Sequence, residues 1–202
     1  MLIFLEKIIM RYLILSSLLL FTPILFSQEG KISKEIKIRL ATHFLSEVEK
    51  ADARVLGYSE QGEIEVLRES SNHLTCVYDD PNNEGLEIIC YHSKLEDFMQ
   101  RGRDLRSEGK SSKEVRDIRG QEIEDGVLSF PEGQSILYVF TGKEENVDIE
   151  SATVKEGRLR YVVYVPYATQ SSTGLPLSPS MPGMPWLMDP GTHRAHIMIT
   201  PI

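Results

Sequence analysis

The hydrophobic period changes several times along this chain, and each change marks an element. Ile32, Ile36, Leu40, Phe44 and Val48 recur every fourth residue, with Ala41 and Leu45 beside them. That spacing predicts one amphipathic helix over residues 33–51, with Ser33 as its N-cap and Glu35 in its first turn. Gly57 to Gly62 breaks the pattern, and Glu63–Arg68 then alternates as a strand does. Asn72–Tyr78 and Leu86–His92 read as two further strands. The turn signal Asp79-Asp-Pro-Asn-Asn-Glu-Gly85 lies between them, so the pair predicts a hairpin.

Helical spacing returns after the hairpin. Ser93-Lys-Leu-Glu96 has the form of a capping box, Leu95, Phe98, Met99, Gly102 and Leu105 share one face, and Gly109 ends the run. Ser111-Ser-Lys-Glu114 repeats the capping signal for a third helix with Val115 and Ile118 inward. Arg101, Arg103 and Arg106 make the outer side of the second helix basic, which reads as a solvated face paired with nearby Glu and Asp rather than as a phosphate site. The remainder reads as strand. Ser135–Thr141 is one, Asp148–Val154 and Arg158–Val165 form a hairpin around Lys155-Glu-Gly157, and Ala195–Thr200 is the last. Residues 166–193 form a long loop rich in Pro, Ser and Gly. The fold class is α+β: an antiparallel sheet with about three helices on one face, in a single domain over residues 28–202.

Residues 1–27 read as a secretory signal peptide. Lys7 and Arg11 supply positive charge, Tyr12–Phe26 is apolar and uncharged, and Ser27 is the small residue at the cleavage point. The apolar stretch is shorter than the roughly 20 residues of a membrane span, and Pro23 interrupts it. No later segment is apolar enough to span, so a secreted or periplasmic location is expected. Met10 begins a tidier signal than Met1 because Glu6 is unusual before an apolar stretch; the mature chain is the same from either start. No Cys follows the apolar stretch, so no lipid anchor is expected.

Compartment gives the two cysteines their meaning. The midpoint of Cys76 and Cys90 is position 83, the middle of the hairpin turn, so a symmetric hairpin sets them directly opposite. In an oxidising compartment that placement predicts a disulfide. The whole chain carries a net charge of −8; cleavage after Ser27 removes Lys7, Arg11 and Glu6 and leaves −9. Nucleic acid and anionic membrane surfaces both repel such a chain. The charge itself serves solubility and names no partner.

Catalytic signatures are missing: no G-x-S-x-G, H-E-x-x-H, P-loop or G-x-G-x-x-G occurs. His43 lies on the flank of the first helix, and strand alternation sends His73 and His92 to opposite faces of the hairpin. The C-terminal segment stands apart. Residues 181–198 hold Met181, Met184, Met188 and Met198, the single Trp186, and His193 and His196. Thioether and imidazole suit Cu(I), so these six Met and His residues form a candidate copper site. The competing expectation is packing: a Pro-rich loop needs apolar anchors, Met and Trp fill irregular gaps, and Trp186 is the anchor. A hydrolase with a site near His196, Asp189 and the Tyr161–Tyr167 strand is a further alternative. The leading expectation is an exported, non-catalytic binding or envelope-associated domain with no cofactor, copper being the alternative.

The chain also resembles a family of uncharacterised secreted bacterial proteins. In that family a strand–Cys–turn–Cys–helix unit comes first, and a Pro-Trp-x-Met…Gly-Thr-x-x-Ala-His-Ile-Met ending closes the domain. Cys76, Cys90, Pro185, Trp186, Met188, Gly191, Thr192, Ala195, His196, Ile197 and Met198 carry the resemblance, which spans Ile64 to the end. Met181, Met184 and His193 lie outside that pattern. The resemblance implies secretion and supplies no mechanism.

The first expected outcome follows from residues 1–27. Mass spectrometry of protein recovered from the cell envelope should give an N-terminus at or near Gln28; soluble cytoplasmic protein that retains Met1 or Met10 would sink the signal-peptide assignment.

Overall fold

The computed structural model describes residues 32–70 and 72–202; the signal-peptide expectation for residues 1–27 lies outside them. Among these residues ten strands occur in chain order: β1 (Arg54–Tyr58), β2 (Ile64–Arg68), β3 (Leu74–Tyr78), β4 (Leu86–His92), β5 (Ser135–Gly142), β6 (Val147–Asp148), β7 (Thr153–Val154), β8 (Arg158–Tyr164), β9 (Trp186–Met188) and β10 (His196–Ile199). Eight of them form one sheet in the order β2-β1-β3-β4-β5-β8-β10-β9, while β6 and β7 pair as a separate ribbon. Every pairing in the large sheet is antiparallel except β1 with β3, which is parallel. Among the described residues five α-helices accompany the sheet: α1 (Lys34–Thr42), α2 (Glu47–Asp52), α3 (Glu96–Ser107), α4 (Ser112–Glu124) and α5 (Gln170–Thr173). The class is therefore α+β with a larger sheet than the sequence pattern indicates.

The centre of the sheet is apolar on both faces. All residues of β3 are buried. Cys76, Tyr78, Ile88, Cys90 and Phe140 pack on one side with Leu40 and Ala41 of α1. Val77, Ile89, Tyr91, Leu137 and Val139 pack on the other with Leu95 and Met99. A strand apolar at every position has to be covered twice. Helices consequently lie on both faces, which corrects the expectation of a single helical layer. Each fully buried Leu or Ile in these layers contributes about 2 kcal/mol.

Cys76 pairs with Cys90 in the β3–β4 ladder, and the two are joined by a disulfide across a Cα–Cα distance of 4.0 Å. Both side chains are fully buried under α1.

Local chemistry explains where elements start and stop. The helix expected over residues 33–51 is two helices. Ser46 accepts from the Glu49 amide, and the Glu49 carboxylate accepts from the Ser46 amide at 3.1 Å, so a capping box restarts the chain as α2. The restart takes Val48 off the expected face, and it is 84% exposed. The expected break at Gly57 is instead part of β1; a Cβ there would lie 2.7 Å from Leu67 Cδ1, so the glycine lets the Leu67 side chain close against the strand. Ser93 does not cap α3. His92 Nδ1 accepts from the Lys94 amide at 3.1 Å, and Ser93–Leu95 makes a 3₁₀ turn first. Gly109 ends α3 as expected, at φ 80°, with Lys110 N donating to Leu105 O at 3.0 Å. Ser111 and Glu114 form the capping box of α4 as read from sequence.

The hairpin expected around Lys155-Glu-Gly157 is not formed. β8 pairs with β5 over seven residue pairs, from Ser135↔Tyr164 to Thr141↔Arg158, whereas β7 turns back on β6. The longer ladder wins because it also completes the core. Residues 166–193 are likewise more than a loop: they contain α5 and β9, and Leu187 N donates to Pro176 O at 2.8 Å. No helix among the described residues is long and apolar enough to cross a membrane.

A second expected outcome concerns the crosslink. The bridge spans a sequence separation of 14, for which chain entropy gives an upper value of about 3 kcal/mol. Replacing Cys76 and Cys90 together with Ala should lower stability by about 2–3 kcal/mol in denaturant titration, because strand pairing already orders part of the turn. Thiol labelling of denatured, unreduced protein should find no free thiol, and two labelled cysteines would refute the bridge.

Candidate functional site

The C-terminal strands spread the expected Met and His residues along the segment. In the β9–β10 ladder Met188 stands opposite His196 and Trp186 opposite Met198. Alternation puts those four side chains on one face, level with Tyr164 of β8. His193 is buried beside Gly120 of α4, with its ring 5.5 Å from that of Phe130, which meets Tyr164 in turn at 5.4 Å. Met181 is 61% exposed, and Met184 lies by the far end of β10, where Gly183 meets Ile202. Of the six residues of the copper reading, Met188, His196 and Met198 share a surface. Trp186 is half-buried, and the deepest residues of the segment are Ala195 and its own neighbour Leu187, 0% and 1% exposed.

The groups of the hydrolase alternative are already committed. His196 Nδ1 lies 2.8 Å from the Arg194 carbonyl, and Asp189 pairs with Arg194 at 3.1 Å. Ser135 shares their row but β8 stands between it and His196, and its hydroxyl has no partner. No base is in reach of that hydroxyl. Burial lowers the pKa of His196, opposed by the Arg194 carbonyl and Asp189; burial also lowers those of His193 and His43.

His73 and His92 do come together, against the alternation argument. Their rings stack with centroids 5.0 Å apart. His73 lies one residue before β3, outside the ladder, so alternation does not govern it. Among the described residues no three His, Cys, Asp or Glu are placed to hold a metal.

The arginines of α3 divide. Arg101 makes a two-pronged contact with Glu122, in keeping with a paired outer face. Arg103 points inward instead, its side chain 9% exposed, and donates to Glu96 at 2.7 Å and to the Tyr91 hydroxyl at 2.9 Å. Burial of the Tyr91 ring draws it in, so Arg103 is a core group and not part of an anion site.

An open cavity of about 410 Å³ remains on the α1 side of the sheet. Ile136, Tyr138, Leu159, Tyr161, Val163 and Ile199 form its floor; Phe44, Leu45 and Glu49 form its wall. The floor follows from register. Tyr138 opposes Tyr161, Ile136 opposes Val163, and Ile199 opposes Tyr161 from the other side, so all point to one face. The wall follows from the break between α1 and α2, which turns Phe44 and Leu45 onto the sheet. The Tyr138 and Tyr161 rings meet edge to face at 5.7 Å, and Phe44 lies 6.3 Å from Tyr138. Glu49 is held by Ser46, whose hydroxyl donates to it at 2.7 Å. Burial, then the Glu49 charge, then Tyr161 raise the pKa of the Tyr138 hydroxyl. The cavity offers apolar and aromatic surface with one carboxylate, and it holds no nucleophile–base pair. Of its residues the sequence reading pointed only to Tyr161; alternating apolar positions on both faces of β5 and β8 are the signal that more surface needed cover.

Compared with protein families, curated proteins and solved structures, the chain matches none.

The buried imidazoles generate a pH prediction. A histidine whose pKa is lowered in the fold stabilises it above the ordinary value of about 6.5, and that contribution is lost as pH falls through the lowered value. Asp79 has the opposite sign: burial raises its pKa from 3.8 to about 6, so its contribution is present below 3.8 and lost as pH rises through about 6. The change in Tm between pH 7 and pH 5 should therefore show less loss in His196→Gln than in the parent, and more loss in Asp79→Asn. Identical pH slopes in all three proteins would refute the assignment.

Proposed function

We propose that the protein is an exported, non-catalytic binding protein that holds an apolar ligand in the groove over β5, β8 and β10. The groove itself carries this reading: its volume of about 410 Å³ falls in the range of roughly 300–1,000 Å³ typical of small-molecule sites. Its floor stands on three paired strands, so the site is formed before a ligand arrives. Export is supported by the signal-like residues 1–27 and by the buried disulfide, a bond that persists in oxidising compartments. The resemblance to secreted bacterial proteins agrees with that address.

Methyl-resolved NMR tests the reading. Titration with benzyl alcohol should shift the methyls of Leu45, Ile136, Leu159, Val163 and Ile199 and leave Leu137, on the opposite face, in place. Val163→Arg should abolish those shifts while the fold is retained. Shifts absent from the groove, or confined to the Leu137 side, would overturn the proposal.

A further inference from the structure

Resting on that groove reading, we infer that the preferred ligand is a small organic cation, a quaternary or methylated ammonium on a short apolar body. Three aromatic rings, Phe44, Tyr138 and Tyr161, line the cavity within 6.3 Å of one another in sequence along it. Aromatic faces attract a cation through their quadrupole, and the attraction grows as water is excluded. The single charged residue in the lining is Glu49. Among the described residues no cation pairs with it. The adjacent Lys50 is engaged with Glu47 at 2.8 Å, and Glu49 itself is fixed by the Ser46 amide and hydroxyl. Fixing matters, because an anchored carboxylate is aimed without further loss of side-chain entropy. The cationic residues of β8, Arg158 and Arg160, alternate to the opposite face from Tyr161 and leave the floor free of positive charge. An anionic ligand would meet Glu49 head on, and a wholly apolar one would desolvate the carboxylate without bringing it an opposite charge. The net charge, −8 for the whole chain and −9 after cleavage at Ser27, favours approach of cations from a distance.

The test uses two probes of one shape, choline and its neutral carbon isostere 3,3-dimethylbutan-1-ol, titrated into the full exported chain and followed at the same groove methyls. Choline should bind about tenfold more tightly than the isostere. Glu49→Gln should bring the two affinities together, and the Gln side chain retains the capping interaction with Ser46, so α2 stays folded. Tyr161→Leu should weaken choline more than the isostere. Equal affinities in the parent would overturn the cation inference and leave the apolar-groove reading standing; a choline preference that survives Glu49→Gln undiminished would overturn the assignment of Glu49 as the group that selects the cation. Silence of the groove methyls toward both probes and toward benzyl alcohol would overturn both.

Discussion

Burial of the β3–β4 hairpin on both faces is the constraint on which the rest of the structure depends. Leu74, Cys76 and Tyr78 alternate with Thr75 and Val77, and all five are buried. Such a strand is stable only with a layer on each side. α1 supplies one layer, and Leu95 with α3 supplies the other. The Cys76–Cys90 bridge fixes the pairing within that hairpin. Slippage by one residue would exchange the two faces of the strand and send the α1-facing set toward α3. The crosslink and the double cover therefore enforce the same register from two directions.

Cover on the α1 side runs out before the sheet does. α1 ends at Thr42, and the capping box at Ser46 starts α2. Phe44 and Leu45 mark the limit of the packed layer, and the apolar residues of β5, β8 and β10 continue beyond it. A groove arises where a helix stops over a sheet that is still apolar. Its walls belong to regular elements, so its shape is inherited from the core and costs little to maintain. The polar clusters behave differently. Arg103, Glu96 and Tyr91 satisfy one another, as do Arg101 and Glu122, and a satisfied network lends rigidity without leaving a group for a ligand.

The C-terminal segment finishes the opposite end of the sheet. β9 shields one edge of β10, and Leu187 and Ala195 bury themselves as the segment folds back. An uncovered edge strand invites pairing with other chains, so a short final strand backed by the Pro176 carbonyl protects the sheet. Methionines here are spread along this edge from Met181 to Met198, and their sulfurs serve different surroundings.

Particular elements show how far the sequence reaches. The α+β class, the Cys hairpin with its bridge, the start of α4 at Ser111 and the end of α3 at Gly109 were all legible, because each rests on contacts within a few residues: caps, turns, alternation and the symmetry of two cysteines about a turn. Helices on both faces, the pairing of β8 with β5, the parallel β1–β3 pair and the strand hidden at Trp186 were not legible, since each is chosen by competition between distant segments for the same core. The helix break after Thr42 had a local signal, Ser46 three residues before Glu49, yet the fourfold spacing through Val48 masked it. The groove is the extreme case. Phe44, Glu49, Tyr138, Tyr161 and Ile199 come from separate stretches of chain and share no motif. The sequence by itself determined which residues were apolar and where the chain turned; only tertiary structure decided which apolar face would be left open, because that depends on where one layer ends above another.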